Sequence, residues 1–207
     1  PTGGGCTWEL VTDNCSSPTL TETSGDFKFN FKPGKVAKAS PSTDCWQIYA
    51  EAYDGAATGN NNQQAREMNW YSEVIVNTET VNWGDVDPGL TFAEGDPSQE
   101  TVSVTYICNG NYNESLQAST TWTGSPSGSA TLNTGGTPGA NEFSLKADDD
   151  GTLTGAIIVI GSYQTFDEGT ITSESGNTET SNSLWLSIGT PFTKATYSGT
   201  IYYQIAQ

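Results

Sequence analysis

The stretch from Glu100 to Trp122, ETVSVTYICNGNYNESLQASTTW, decides how this chain of 207 residues is read. Its first part alternates apolar and polar residues, an Asn-Gly-Asn turn follows, and SLQASTTW from Ser115 alternates again. A period of two puts successive side chains on opposite faces, which is the signature of a half-buried β-strand.

The same period recurs along the chain. In FKFNFK, Phe27, Phe29 and Phe31 fall on one face and Lys28, Asn30 and Lys32 on the other. Further strand candidates are WQIYAEAY from Trp46, WYSEVIV from Trp70, EFSLKA from Glu142, TLTGAIIVIGSY from Thr152, SLWLSI from Ser183 and TYSGTIYYQIA from Thr196. Turn formers separate them: DPG, GDPS, SPSG, NTGGTPG and DDDG. Short strands punctuated in this way indicate an all-β fold, an antiparallel immunoglobulin-like or jelly-roll-like β-sandwich. The one helix candidate is a turn or two near NNQQAREMNW. Residues 1–26 differ in kind, rich in Gly, Thr and Ser with only TWELV able to pair as a strand, and are read as an N-terminal arm on a sandwich of residues 27–207.

Net charge is −17, from 24 acidic and seven basic residues, with no histidine. Such a surface repels phosphate backbones and anionic lipid, so neither nucleic acid nor membrane insertion is expected. Four of the basic residues, Lys28, Lys32, Lys35 and Lys38, fall within eleven positions. They form a basic strip on an acidic body that suits head-to-tail contact, or equally a set of lysines guarding a strand edge. No cofactor is expected. Asp148 to Asp150 before Gly151, and Asp167 with Glu168 before Gly169, are compatible with a structural calcium ion, but neither matches the twelve-residue calcium loop and both more simply make hairpin turns.

Cys6, Cys15, Cys45 and Cys108 lack the C-x-x-C spacing of a zinc site and read as disulfides. Three connectivities are open. Cys6 with Cys15 and Cys45 with Cys108 is favoured, the short loop worth about 3 kcal/mol and the long one about 4 kcal/mol in the chain-entropy account. Disulfides, an opening Pro1 and the acceptor sequons at Asn14 and Asn113 set the expectation of an exported, extracellular chain at the cell surface with its leader removed.

Without histidine, and with its cysteines committed, the chain offers little for catalysis beyond a carboxylate pair. Glu51 in YAEAY and Glu73 in YSEVI could serve as one, as in a small jelly-roll glycoside hydrolase. Trp8, Trp70, Tyr71, Tyr112, Tyr202 and Tyr203 could serve as stacking platforms of a carbohydrate-binding adhesin. An enzyme is the least expected of the readings.

The segment VNWGDVDPGL, residues 81–90, opens a succession of phrases: a Trp-Gly strand end, a Pro-Gly reversal, ETVSVTYIC, NGNYNESLQASTTW, DDDGTLTGAIIVI and SLWLSIGTPFTKATYSGTIYYQI. Over residues 70–207 this order resembles the immunoglobulin-like sandwich of prokaryotic surface proteins, including archaeal surface filaments and the TasA- and camelysin-type biofilm fibre proteins. It departs from that pattern at Cys108 and in the longer insertion TFAEGDPSQ. On this reading Asp85 and Asp87 face solvent, Trp83 and Val86 anchor a corner, and Pro88-Gly89 reverses the chain.

The resemblance implies a subunit whose partners are copies of itself, with glycans or other cell-surface components as further candidates. Polymerisation would come from a strand of one subunit completing a sheet of the next. The arm is the candidate donor, giving Trp8, Glu9, Leu10 and Val11, with Lys28, Lys32, Lys35 and Lys38, as expected interface residues.

Overall fold

The computed structural model describes residues 8–17, 27–34, 39, 46–171 and 177–207. Among them the protein is all-β, with one 3-10 turn at Thr12–Asn14 and no α-helix. The chain falls into two compact units: residues 1–72 with 107–110 and 173–177, and the remainder.

The first unit is built from paired ribbons. Strand β1 (Trp8–Leu10) runs antiparallel to β2 (Phe31–Pro33), with Leu10 opposite Phe31, and a bridge between Ser16 and Lys28 extends the pairing. Strands β3 (Trp46–Tyr53) and β4 (Thr58–Arg66) form a hairpin. Its turn is organised by Asp54, whose carboxylate accepts from the Ala56 and Ala57 N–H groups at 2.9 and 2.8 Å, a short-range arrangement typical of aspartate in turns. Where a helix is expected near NNQQAREMNW, residues 61–66 belong instead to the second strand of this hairpin and 67–70 follow it without a helix: an Asn/Gln-rich run has no apolar phase of its own and takes the extended form its partner β3 imposes. Elsewhere in this unit Asn109, 2% exposed, pins the chain. Its side chain accepts from Tyr71 N–H at 2.8 Å and donates to Asn69 C=O at 3.0 Å.

The second unit is a β-sandwich. Its strands are β5 (Ser72–Val76), β6 (Gln99–Cys108), β7 (Tyr112–Ala118), β8 (Thr121–Ser125), β9 (Ser129–Leu132), β10 (Glu142–Asp148), β11 (Ile157–Val159), β12 (Gln164–Ile171), β13 (Asn177–Ile188), β14 (Thr196–Ser198) and β15 (Ile201–Ala206). One sheet has the order β14-β8-β9-β10-β13-β6-β5, with β11 also on β10; the other is β12-β7-β15. The pairing of β9 with β10 is parallel, whereas β8 with β9 and β14, β10 with β11 and β13, and β7 with β12 and β15 are antiparallel.

The alternation read in the opening stretch is the packing code. Along β6, Val102, Val104 and Tyr106 are buried in turn, and along β7 so are Tyr112, Glu114, Leu116 and Ala118. Phe143, Leu145 and Ala147 of β10 and Leu184 and Leu186 of β13 supply the rest of the apolar centre, each large side chain worth about 1.5–3 kcal/mol in burial. Trp185, fully buried beside Leu184 and Leu186, shows that β13 is covered on both faces.

Two runs that alternate without a break in the sequence are each cut by a corner. SLQASTTW passes from β7 in one sheet to β8 in the other, and TYSGTIYYQIA passes from β14 to β15. Because β8 pairs with β14 and β7 with β15, the two runs turn the corner together as one bent ribbon. Ser119 N–H donates to Thr200 C=O at 2.8 Å, and Thr200 N–H donates to the Ser119 hydroxyl at 3.0 Å, at the bend. Gly199 makes the bend fit, since a Cβ there would overlap the Trp122 indole. That indole stacks on Phe143 at 3.9 Å and tilts against Trp83 at 5.9 Å.

VNWGDVDPGL is therefore a brace. Trp83 packs on Trp122, Asp85 and Asp87 are exposed, and the Pro88-Gly89 reversal lets Gly89 N–H donate to Ile188 C=O at 3.0 Å. Gly89 adopts φ +89, which glycine takes without strain. The segment is irregular backbone rather than a strand ending in Trp-Gly, for β5 stops at Val76.

Candidate functional site

Among the residues expected at an interface, Trp8, Glu9 and Leu10 form β1, Val11 follows it and donates its N–H to Asn30 C=O at 2.8 Å, and Lys28 and Lys32 are exposed. Lys35 and Lys38 lie outside the described residues, as do Cys6 and Cys45. Cys15 and Cys108 hold free thiols that donate to Val11 C=O at 3.3 Å and Gly110 C=O at 3.2 Å. Asn14 sits in the 3-10 turn. Asn113 is the second residue of β7, where its side-chain oxygen accepts from the Thr170 hydroxyl at 2.8 Å.

The ribbons of the first unit expose apolar side chains in order. Phe27, Phe29 and Phe31 are 58%, 58% and 46% exposed and stack in a row, with centroids 6.4 and 6.5 Å apart. Leu10, cross-strand from Phe31, extends the stripe. On the hairpin Ile48, Tyr49 and Tyr53 are likewise exposed. A sheet of two strands has one layer and buries little by itself, so rows of this kind are surfaces that gain from being covered.

Charge is distributed to match. Residues 1–72 hold eight of the 24 acidic and five of the seven basic residues, a net of −3, whereas residues 73–207 carry −14. Like-charged sandwiches repel one another, and the nearly neutral ribbons are the part of the chain that an acidic surface repels least.

One buried group escaped the sequence reading. Glu114, 1% exposed, points inward from β7, and the Tyr106 and Tyr112 hydroxyls beside its carboxyl only partly offset the cost of burying it. Burial pushes its pKa up to about 7, and the negative charge of Asp149 adds to the shift. Nearby, Asn182 of β13 donates to the Tyr106 hydroxyl at 3.2 Å, and burial raises the Tyr106 and Tyr203 phenols above their ordinary range. The bulge of β12 between Thr165 and Thr170 lies across from Glu114. The signal in the sequence is a single acid in phase with the apolar face of Tyr112, Leu116 and Ala118. Such a carboxyl holds its proton to neutral pH, so it makes the sandwich sensitive to pH.

The acidic turn after β10 is closed upon itself. The Asp148 carboxylate accepts from Asp150 N–H at 2.7 Å, and that of Asp150 accepts from Thr152 N–H and its hydroxyl, both at 2.8 Å. Among the described residues no group of three or more His, Cys, Asp or Glu is placed to hold a metal ion. Glu51 is exposed on β3 of the first unit, where its carboxylate accepts from the Tyr49 hydroxyl at 3.3 Å, while Glu73 belongs to β5 in the second. The chain shows no match to a protein-family model and no significant match to a curated protein.

Proposed function

We propose that this chain is an extracellular structural subunit that assembles with copies of itself into a surface filament by β-strand addition. The observation that carries the reading is the stacked, exposed row of Phe27, Phe29 and Phe31 leading into a sheet that has two strands among the described residues. An isolated ribbon is marginal in water, and a strand from a neighbouring copy would both extend its hydrogen bonding and cover its apolar face. The charge asymmetry favours a contact between unlike surfaces, the ribbon segment of one copy with the acidic body of the next. A head-to-tail contact whose rotation does not close a ring propagates into a fibre.

Electron microscopy and sedimentation of the purified full chain test the reading. Ordered fibres are expected, and a variant with Phe27, Phe29 and Phe31 changed to Ser should remain monomeric with an intact sandwich by circular dichroism. Removal of residues 1–26 should also leave a soluble core that does not polymerise. Monodisperse wild-type monomer at high protein concentration and moderate salt, or unchanged fibres from the triple variant, would refute it.

A further inference from the structure

Alternate residues of an antiparallel strand turn their backbone groups to opposite sides, so a strand at the edge of a sheet leaves every second N–H and C=O unpaired. In β7, Ser119 N–H points to Thr200 C=O, while Ala118 N–H points the other way, to Ile160 C=O at 3.1 Å. Gln117, Ser115 and Asn113 share the direction of Ser119. Their partners Tyr202, Gln204 and Ala206 therefore bond to β7, and Ile201, Tyr203 and Ile205 present their backbone groups at the outer edge of β15. Among the described residues no strand pairs with that edge. It also lacks the guards found on other edges of the sandwich: β12 is broken by a bulge, β14 has 3 residues, and β5 carries Glu73. The side chains of the three edge residues lie on the inner face, opposite Ala118, Leu116 and Glu114, yet Ile201 and Tyr203 are incompletely covered.

The phenylalanine row has the matching geometry. Lys28 exchanges both backbone bonds with Ser16 at 3.0 Å, and Asn30 C=O accepts from Val11 N–H at 2.8 Å. Alternation then turns the backbone groups of Phe27, Phe29 and Phe31 toward the open edge of the ribbon, with all three side chains on one exposed face.

We infer that the outer edge of β15 receives residues 27–31 of a neighbouring copy as an added antiparallel strand, Phe27 opposite Ile205, Phe29 opposite Tyr203 and Phe31 opposite Ile201. Directly opposed residues of such a ladder exchange both backbone bonds and turn their side chains to the same face. The phenylalanines thus continue the inner row of β15 and cover what Ile201 and Tyr203 leave open, and the backbone groups left over on both edges are used together. On the other face Lys28 meets Gln204 and Asn30 meets Tyr202, so no like charges are opposed. Charge selects the occupant: β15 edges of two copies would bring together segments that each carry −14, whereas the phenylalanine strand brings Lys28 and Lys32. This joint rests on the proposed assembly of copies into a fibre, and names the two strands that make it.

Cysteine cross-linking of the full chain tests the pairing and its register. Lys28 and Gln204 are both exposed, and as an opposed pair without backbone bonds their Cα atoms would stand about 4.5 Å apart, within reach of a disulfide. The Lys28→Cys and Gln204→Cys variants, mixed and oxidised under fibre-forming conditions, should give covalent dimer on non-reducing gels several-fold above either variant oxidised alone, which measures the background from the native thiols. Lys32→Cys mixed with Gln204→Cys, four residues out of register, should stay at that background. The Lys28→Cys/Gln204→Cys double variant should give a ladder of covalent multimers. Fibres in the electron microscope with no link above background would overturn this pairing and leave self-assembly standing. A double variant that closes its link within one chain, or links formed equally by Lys32→Cys, would also overturn it. Neither fibres from wild type nor links from the mixture would overturn the pairing together with the assembly on which it rests.

Discussion

Replacing Glu114 by Gln should remove a large part of the pH dependence of stability in the neutral range. In the fold the carboxyl holds its proton up to about pH 7, against an ordinary value of 4.5. The folded state therefore binds the proton more tightly than the unfolded chain. The resulting stabilisation is complete below about pH 4.5 and is lost as the pH rises through about 7. At 1.36 kcal/mol per pH unit, and allowing for partial screening by water, the group costs the protein about 2–3 kcal/mol between those limits. Gln has nearly the same shape and cannot ionise. The variant should match wild type within about 1 kcal/mol at pH 4.5 and exceed it by about 2–3 kcal/mol at pH 7.5. Urea unfolding followed by tryptophan fluorescence at one-unit pH intervals gives the difference curve directly, and the other acidic residues, common to both proteins, cancel. Parallel curves would show that Glu114 ionises as an ordinary carboxylate, and a gap that widens toward acid that its pKa is lowered; either would refute the reading of its burial.

Other outcomes follow from single residues. Gly199→Ala forces the Trp122 indole out of its place against Phe143 and Trp83 and should cost about 3 kcal/mol, measured as a lowered urea midpoint, whereas Gly59→Ala, with open space at its Cβ, should cost far less. Asn109→Ala leaves Tyr71 N–H and Asn69 C=O without their buried partner and should destabilise the first unit by about 2–3 kcal/mol, visible as faster amide exchange there while the sandwich is unchanged.

The alternation of Glu100–Trp122 carries much of the architecture because strands buried on one face must repeat every two residues, and Val102, Val104 and Tyr106 are buried as that rule requires. The reading of VNWGDVDPGL as scaffold rests on equally local chemistry, a turn pair and a tryptophan seeking a packed neighbour. The corners were not legible. A period of two states which face a side chain takes but not which sheet the strand belongs to, so Ser119-Thr120 and Gly199-Thr200 look like strand interior until Trp122 is seen lying where a Cβ at Gly199 would be. The β3–β4 hairpin was half legible: the aromatic strand from Trp46 announces itself, but its partner Thr58–Arg66 is polar throughout and owes its extended form to pairing. Glu114 is not legible because one acid between Asn113 and Ser115 reads as a surface residue, and only its place on the buried face with Tyr112, Leu116 and Ala118 reveals it.

The bent ribbon also governs how the molecule would come apart under load. A pull on the Gln207 end peels β15 from β7, beginning at the Ala206–Asn113 pair. The rupture then meets the Ser119–Thr200 hydrogen bonds, where the ribbon changes plane and the direction of peeling no longer lies along the next pairing. Behind that bend β14 is still zipped to β8 and clamped over Trp122. The corner is thus a mechanical stop, and a frayed tail can re-zip because the tryptophan cluster behind it has not been disturbed.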